Sequence, residues 1–236
     1  MKRAFTLAEV LITLGIIGVV AALTMPSLIT KYQKKETAVR LAKAYSEISQ
    51  AIKLSEINND VVDNWDYSLK PQAFFDKYLK GYLETVNIMK SSEYIPLTSY
   101  KMLNGTPVTT AQTTYYPDSI GVILPSGAIM YIEDMEGEQF NPVTIDVNGF
   151  KPPNQFGKDA FLFNIQPKYG LTPYGFGAAY YDEWAGEDSN ESFGTEYNRD
   201  VLLGDNGLAC NKSQTGIWCA ALIMSDGWEI KDDYPW

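Results

Sequence analysis

Residues 5–29 read FTLAEVLITLGIIGVVAALTMPSLI, and Glu9 is the one charge among them. A helix over that stretch, rising about 1.5 Å per residue, reaches roughly 37 Å, enough to cross the ~30 Å hydrocarbon core of a bilayer. The segment therefore spans a membrane or directs export. A plain secretory signal shares its order: Met1, Lys2 and Arg3 as a basic start, then an apolar stretch cut near Ala21-Ala22. Two features argue for a retained helix. A carboxylate within an apolar span costs on the order of 3 kcal/mol, so Glu9 needs a partner or a purpose. The helical period also continues beyond the span. After Lys31, Lys34 and Lys35, the residues Leu41, Tyr45, Ile48 and Ile52 recur at helical spacing, with Ala38 and Ala42 beside them. This pattern predicts one helix over residues 5–57, apolar throughout its first half and amphipathic in its second, stopped by Asn58-Asn59-Asp60. Pro26 should kink or locally melt it.

The stretch Lys2-Arg3-Ala4-Phe5-Thr6-Leu7-Ala8-Glu9-Val10-Leu11 resembles the processing and methylation signature of type IV prepilins and type II secretion pseudopilins. The resemblance implies a short cytoplasmic leader cut by a membrane aspartyl peptidase between Ala4 and Phe5, with N-methylation of Phe5 by the same enzyme. The residue before the cut is usually glycine in the family, where this chain has the similarly small Ala4. Glu9 falls at the fifth mature position, a family hallmark, and Pro26 matches a proline late in the apolar segment. Partners implied are further copies of the chain and other pilin-like subunits, the peptidase/methyltransferase, an inner-membrane assembly platform with its ATPase, and membrane lipid. The implied location is the bacterial inner membrane, single-pass, with the N-terminus cytoplasmic and the C-terminal domain periplasmic or extracellular. In a fibre, Glu9 would pair with the methylated amine of a neighbouring copy's Phe5. Any other axial offset strands a charge in apolar surroundings.

The expected organisation is a leader over 1–4, an assembly half-helix over 5–29, an amphipathic half over 30–60 and a globular domain over 61–236. Within that domain a second helix follows Pro71, where Phe74, Phe75, Tyr78, Leu79, Tyr82 and Leu83 fall three and four apart. Residues 87–118 read as a long loop. Residues 120–124 and 128–132 flank Pro125-Ser126-Gly127 as a hairpin, and residues 143–147, 161–165 and 218–224 read as further strands. The fold class is α+β: a long helix packed on a small antiparallel sheet with long loops, pilin-like.

Composition narrows the chemistry. With no histidine and two cysteines, imidazole catalysis and zinc sites built on His or four Cys are excluded. Residues 1–60 hold eight basic against five acidic side chains, and the remainder eleven against twenty-four. An acidic body repels phosphate backbones, so no nucleic-acid partner is expected. Cys210 and Cys219 suit a structural disulfide in an oxidising compartment, with two reduced buried thiols as the other reading. Asp146, Asn148, Asn154 and Asp159 lie in an oxygen-rich stretch that is a candidate Ca2+ site. The same residue types also bond their own backbone in turns. The acidic run 182–200, with Tyr180, Tyr181 and Trp184 near its start, reads as a solvated loop or a second cluster around Asp182, Glu183, Glu187 and Asp188.

The function expected is a structural subunit of a type II secretion pseudopilus, not an enzyme. A type IV pilus subunit for adhesion, motility or DNA uptake is the alternative. A membrane-anchored enzyme using a carboxylate pair and an exported, cleaved binding protein stand as readings from other classes.

Overall fold

The computed structural model describes residues 6–89, 99–108, 119–133, 140–176 and 198–236. The chain divides into two units, Met1–Glu36 and Thr37–Trp236. Helix α1 covers Leu7–Asn59 and is continuous through Pro26, so the expected melting there does not occur. Its start is a capping box. Thr6 accepts from the Glu9 N–H at 3.3 Å, and the Thr6 N–H and hydroxyl both donate to Glu9 Oε2 at 2.8 Å.

In the second unit, α1 buries Ala38, Leu41, Ala44, Ile48, Ala51, Ile52 and Ser55. This is the predicted face, centred on Leu41 and Ile48 and shifted sideways: Tyr45 is half-buried at one edge, and Ala44 and Ala51 extend the opposite edge. A 3-10 turn over Val62–Asn64 leads to α2, Pro71–Tyr78, whose Pro71 opens the first helical turn. Trp65 stacks on Tyr78 with centroids 4.4 Å apart, and Phe74 meets both rings. Leu79 caps this helix, and Tyr82 and Leu83 lie beyond it, so α2 is shorter than its apolar period suggests.

The sheet is a six-stranded antiparallel meander in chain order, β1 Asn87–Met89, β2 Ile120–Ile123, β3 Ile129–Ile132, β4 Asn141–Asp146, β5 Ala160–Gln166 and β6 Gly170–Pro173. The β2–β3 hairpin forms as expected. Gly127 supplies its turn with φ +83°, and Leu124 N–H donates to the Ala128 carbonyl. One sheet face carries Val122, Met130, Ile132, Val143, Ile145, Phe161, Phe163 and Ile165. Tyr45 of α1 packs on Phe163 at 5.9 Å and donates to the Leu171 carbonyl at 3.3 Å, which places α1 on that face.

The opposite face bears Tyr131, Glu133, Thr144, Asp146 and Thr172, and all five are buried. Every residue of β4 is buried, so this strand is covered on both sides. The cover includes residues 99–108, where Tyr100 reaches Asp146 and Tyr100, Met102, Leu103 and Val108 are buried; the C-terminal region packs on β5 and β6. Two helices form there, α3 over Arg199–Leu203 and α4 over Cys219–Ser225. Residues 218–224 are thus a helix and not the expected strand. A run that is apolar without a break has no period to separate the two, and Ala220, Ala221 and Leu222 favour helix once every side is buried. The stretch read as a long loop from residue 87 begins with strand β1.

Candidate functional site

Two places emerge from the sequence as candidates, the start of α1 and the β4–β5 connection. Ala4 and Phe5 lie outside the described residues, as does the run 182–197 with Tyr180 and Tyr181. Glu9 is described, and its carboxylate is occupied locally by Thr6. The T-x-x-E spacing is the sequence signal of this capping box, overshadowed by the apolar run that follows it. From Leu7 to Ile29 the side chains are exposed, apart from half-exposed Ala21. Leu14, Ile17 and Leu23 are 60%, 63% and 75% exposed. α1 is long and apolar enough to cross a membrane. Pro26 sits inside the helix, and its carbonyl accepts the Thr30 hydroxyl at 3.0 Å.

The β4–β5 connection brings Asp146, Asn148, Asn154 and Asp159 together. Asp146 accepts from the N–H groups of Asn148 (3.0 Å) and Gly149 (2.9 Å) and from the Tyr100 hydroxyl (2.6 Å). Asp159 accepts from the N–H groups of Asn154 (2.8 Å) and Gln155 (2.6 Å) and from Asn148 Nδ2 (3.1 Å). Each buried carboxylate therefore gathers three donors and clamps the loop onto the sheet. The side-chain oxygens of Asn148 and Asn154 are buried and accept no hydrogen bond. Ca2+ takes six to eight oxygen ligands. An ion entering here would displace donors from both carboxylates, since two neutral oxygens do not suffice. Among the described residues, no three Asp, Glu or Cys side chains converge on one point.

Burial pushes Asp146 up to about 7, helped by the charge of Asp159 and opposed by the donors from Tyr100, Asn148 and Gly149. Burial raises Asp159 as well, against its own three donors. Burial likewise raises Glu133, 1% exposed, to about 7; the Thr144 hydroxyl, which donates to it at 2.7 Å, pulls the other way. Neither Tyr100 nor Glu133 stood out in the sequence, because Tyr100 meets Asp146 and Glu133 meets Thr144 only through the fold, which no local pattern encodes.

Cys210 and Cys219 form a disulfide. Gly157, at φ +78°, passes so close to it that a Cβ there would lie 2.9 Å from Cys219 Sγ. The C-terminal segment is tied down from two sides. Arg199 donates to Asp226 at 2.8 and 3.1 Å and to Asp233 at 2.7 Å, and the Tyr234 hydroxyl donates to the Gly157 carbonyl at 2.5 Å.

No curated protein and no solved structure matches the chain. Residues 27–236 match a family of unknown function (DUF6613), and the chain belongs to that family.

Proposed function

We propose that this chain is a structural subunit of a type IV pilin-like fibre, of the type II secretion pseudopilus branch. It is held as a single-pass inner-membrane precursor, cut and N-methylated at Phe5, and polymerised through its N-terminal helix to drive protein export. The observation that carries the reading is α1. One helix joins an apolar, exposed stretch headed by the prepilin-like motif to a half buried within an α+β domain. In this reading the exposed apolar face rests in lipid until other copies of the same segment cover it. Glu9 then exchanges its Thr6 contact for a neighbour's terminal amine, which fixes the axial offset. The buried carboxylates of the body are occupied in holding its own loops, which suits a building block.

Mass spectrometry of the chain extracted from native membranes tests this. The expected N-terminus is N-methyl-Phe5. A chain starting at Met1, or beyond Ala22, would sink the proposal.

A further inference from the structure

We propose that Lys31, Lys34 and Lys35 form a binding surface for the phosphate headgroups of anionic phospholipids in the leaflet where α1 leaves the membrane. The inference rests on the membrane-spanning part of the reading above and not on fibre assembly. The three lysines stand at i, i+3 and i+4 of a continuous helix, within an arc of about 100°. Lys31 and Lys35 are exposed.

Their depth fits. Lys31 lies ~3 Å and Lys35 ~9 Å beyond Ile29 along the axis, the span of a headgroup layer on one side of the hydrocarbon core. Tyr32, 67% exposed, occupies the same turn, at the level where amphipathic rings settle in bilayers. Thr30 adds no demand for headgroups, since its hydroxyl donates to the Pro26 carbonyl.

Charge singles out this turn. With the domain exported, as the reading above has it, the three lysines run against the tendency of basic residues to stay cytoplasmic. Phosphate groups within a Debye length supply the counter-charge that offsets this placement. The domain that follows cannot add to the attraction. Residues 61–236 carry eleven basic against twenty-four acidic side chains and are repelled by an anionic surface.

The test reconstitutes the full-length chain into phosphatidylcholine vesicles with and without phosphatidylglycerol, and measures by electron paramagnetic resonance how spin-labelled forms of each lipid partition to the protein. The expected result is roughly fivefold preference for phosphatidylglycerol. The combined variant Lys31→Gln, Lys34→Gln, Lys35→Gln should remove it, as should salt near 1 M, where the Debye length is about 3 Å. Lys43→Gln with Lys53→Gln should leave it intact, because those residues stand ~21 Å and ~36 Å beyond Ile29 along the helix, past the headgroup layer. Equal partition of both lipids to the wild-type chain, or preference kept in the triple variant, overturns the proposal. A chain that does not float with vesicles of either composition overturns it together with the membrane span. An unprocessed N-terminus with the lipid preference present defeats the fibre reading alone.

Discussion

The two halves of α1 share one unbroken backbone and differ in what their side chains meet. In the upstream half apolar residues occur all round the helix and are exposed, whereas downstream they form one stripe that packs on the sheet face carrying Phe161, Phe163 and Ile165. Burial of that stripe makes the downstream half part of a folded domain. The upstream side chains are exposed among the described residues, and in the proposed reading lipid or other copies of the segment cover them. A helix can therefore be continuous in hydrogen bonding and discontinuous in the origin of its stability.

The largest expected effect probes the upstream half. Glu9→Ala loses both the cap and the charge, and Glu9→Gln keeps a capping side chain while losing the charge. Both variants should insert in the membrane, and neither should form fibres when imaged by electron microscopy. Normal fibres from Glu9→Gln would reduce Glu9 to a helix cap.

Next comes the contrast itself. Leu41→Ala, at a fully buried position, should cost the domain about 2–5 kcal/mol in denaturant titration, and Leu14→Ala less than ~0.5. Tryptophan fluorescence suits the measurement, because all five tryptophans follow residue 60. Equal losses would erase the distinction between the halves.

The disulfide belongs wholly to the domain. Replacing Cys210 and Cys219 together with alanine should lower its stability by about 2–3 kcal/mol, with no change in vesicle flotation.

A smaller effect is expected from pH. Asp146 and Glu133 sit near 7 in the fold, above the ordinary carboxylate values of about 4. Their neutral forms stabilise the fold fully below about pH 4, and that contribution is lost as pH rises through 7. Each group then contributes a falling slope of at most ~1.4 kcal/mol per pH unit in between. Asp146→Asn should flatten the profile, since an amide still accepts from the Asn148 and Gly149 N–H groups. A variant profile parallel to wild type would show that Asp146 stays ionised.

The smallest expected effect is that of chelator. Melting with EDTA should match melting with millimolar Ca2+ to within ~1 °C, because six donors already occupy Asp146 and Asp159. A rise of several degrees with Ca2+ would mean that the donors yield to the ion.

How much of this was legible depends on the range of the interactions involved. The long helix, the hairpin at Gly127 and the helix opened by Pro71 rest on local spacing and turn chemistry, and each was readable. Strand β1 has three residues and no alternation to betray it, and β6 starts at a glycine; both exist because neighbouring strands offer hydrogen bonds. Residues 218–224 are apolar on every side, so only their surroundings select a helix. At the candidate site, Asp146, Asn148, Asn154 and Asp159 were grouped by proximity in sequence, and the fold does assemble them. Their saturation by backbone N–H groups and by Tyr100, 46 residues from Asp146, is a product of folding.

By itself the sequence determined a helix that outlasts its own membrane-length apolar run, a single carboxylate within that run, and an acidic, histidine-free body. These follow from periodicity and composition, which need no tertiary contact. Only the tertiary structure decided that the second sheet face buries Glu133, Thr144, Asp146 and Thr172, and that the loop carboxylates serve as clamps. Hydrogen-bond satisfaction is set by which groups are brought within about 3 Å of each other. At the clamps the distant group is Tyr100, 46 residues from Asp146, and strand pairing brings the nearer ones into range.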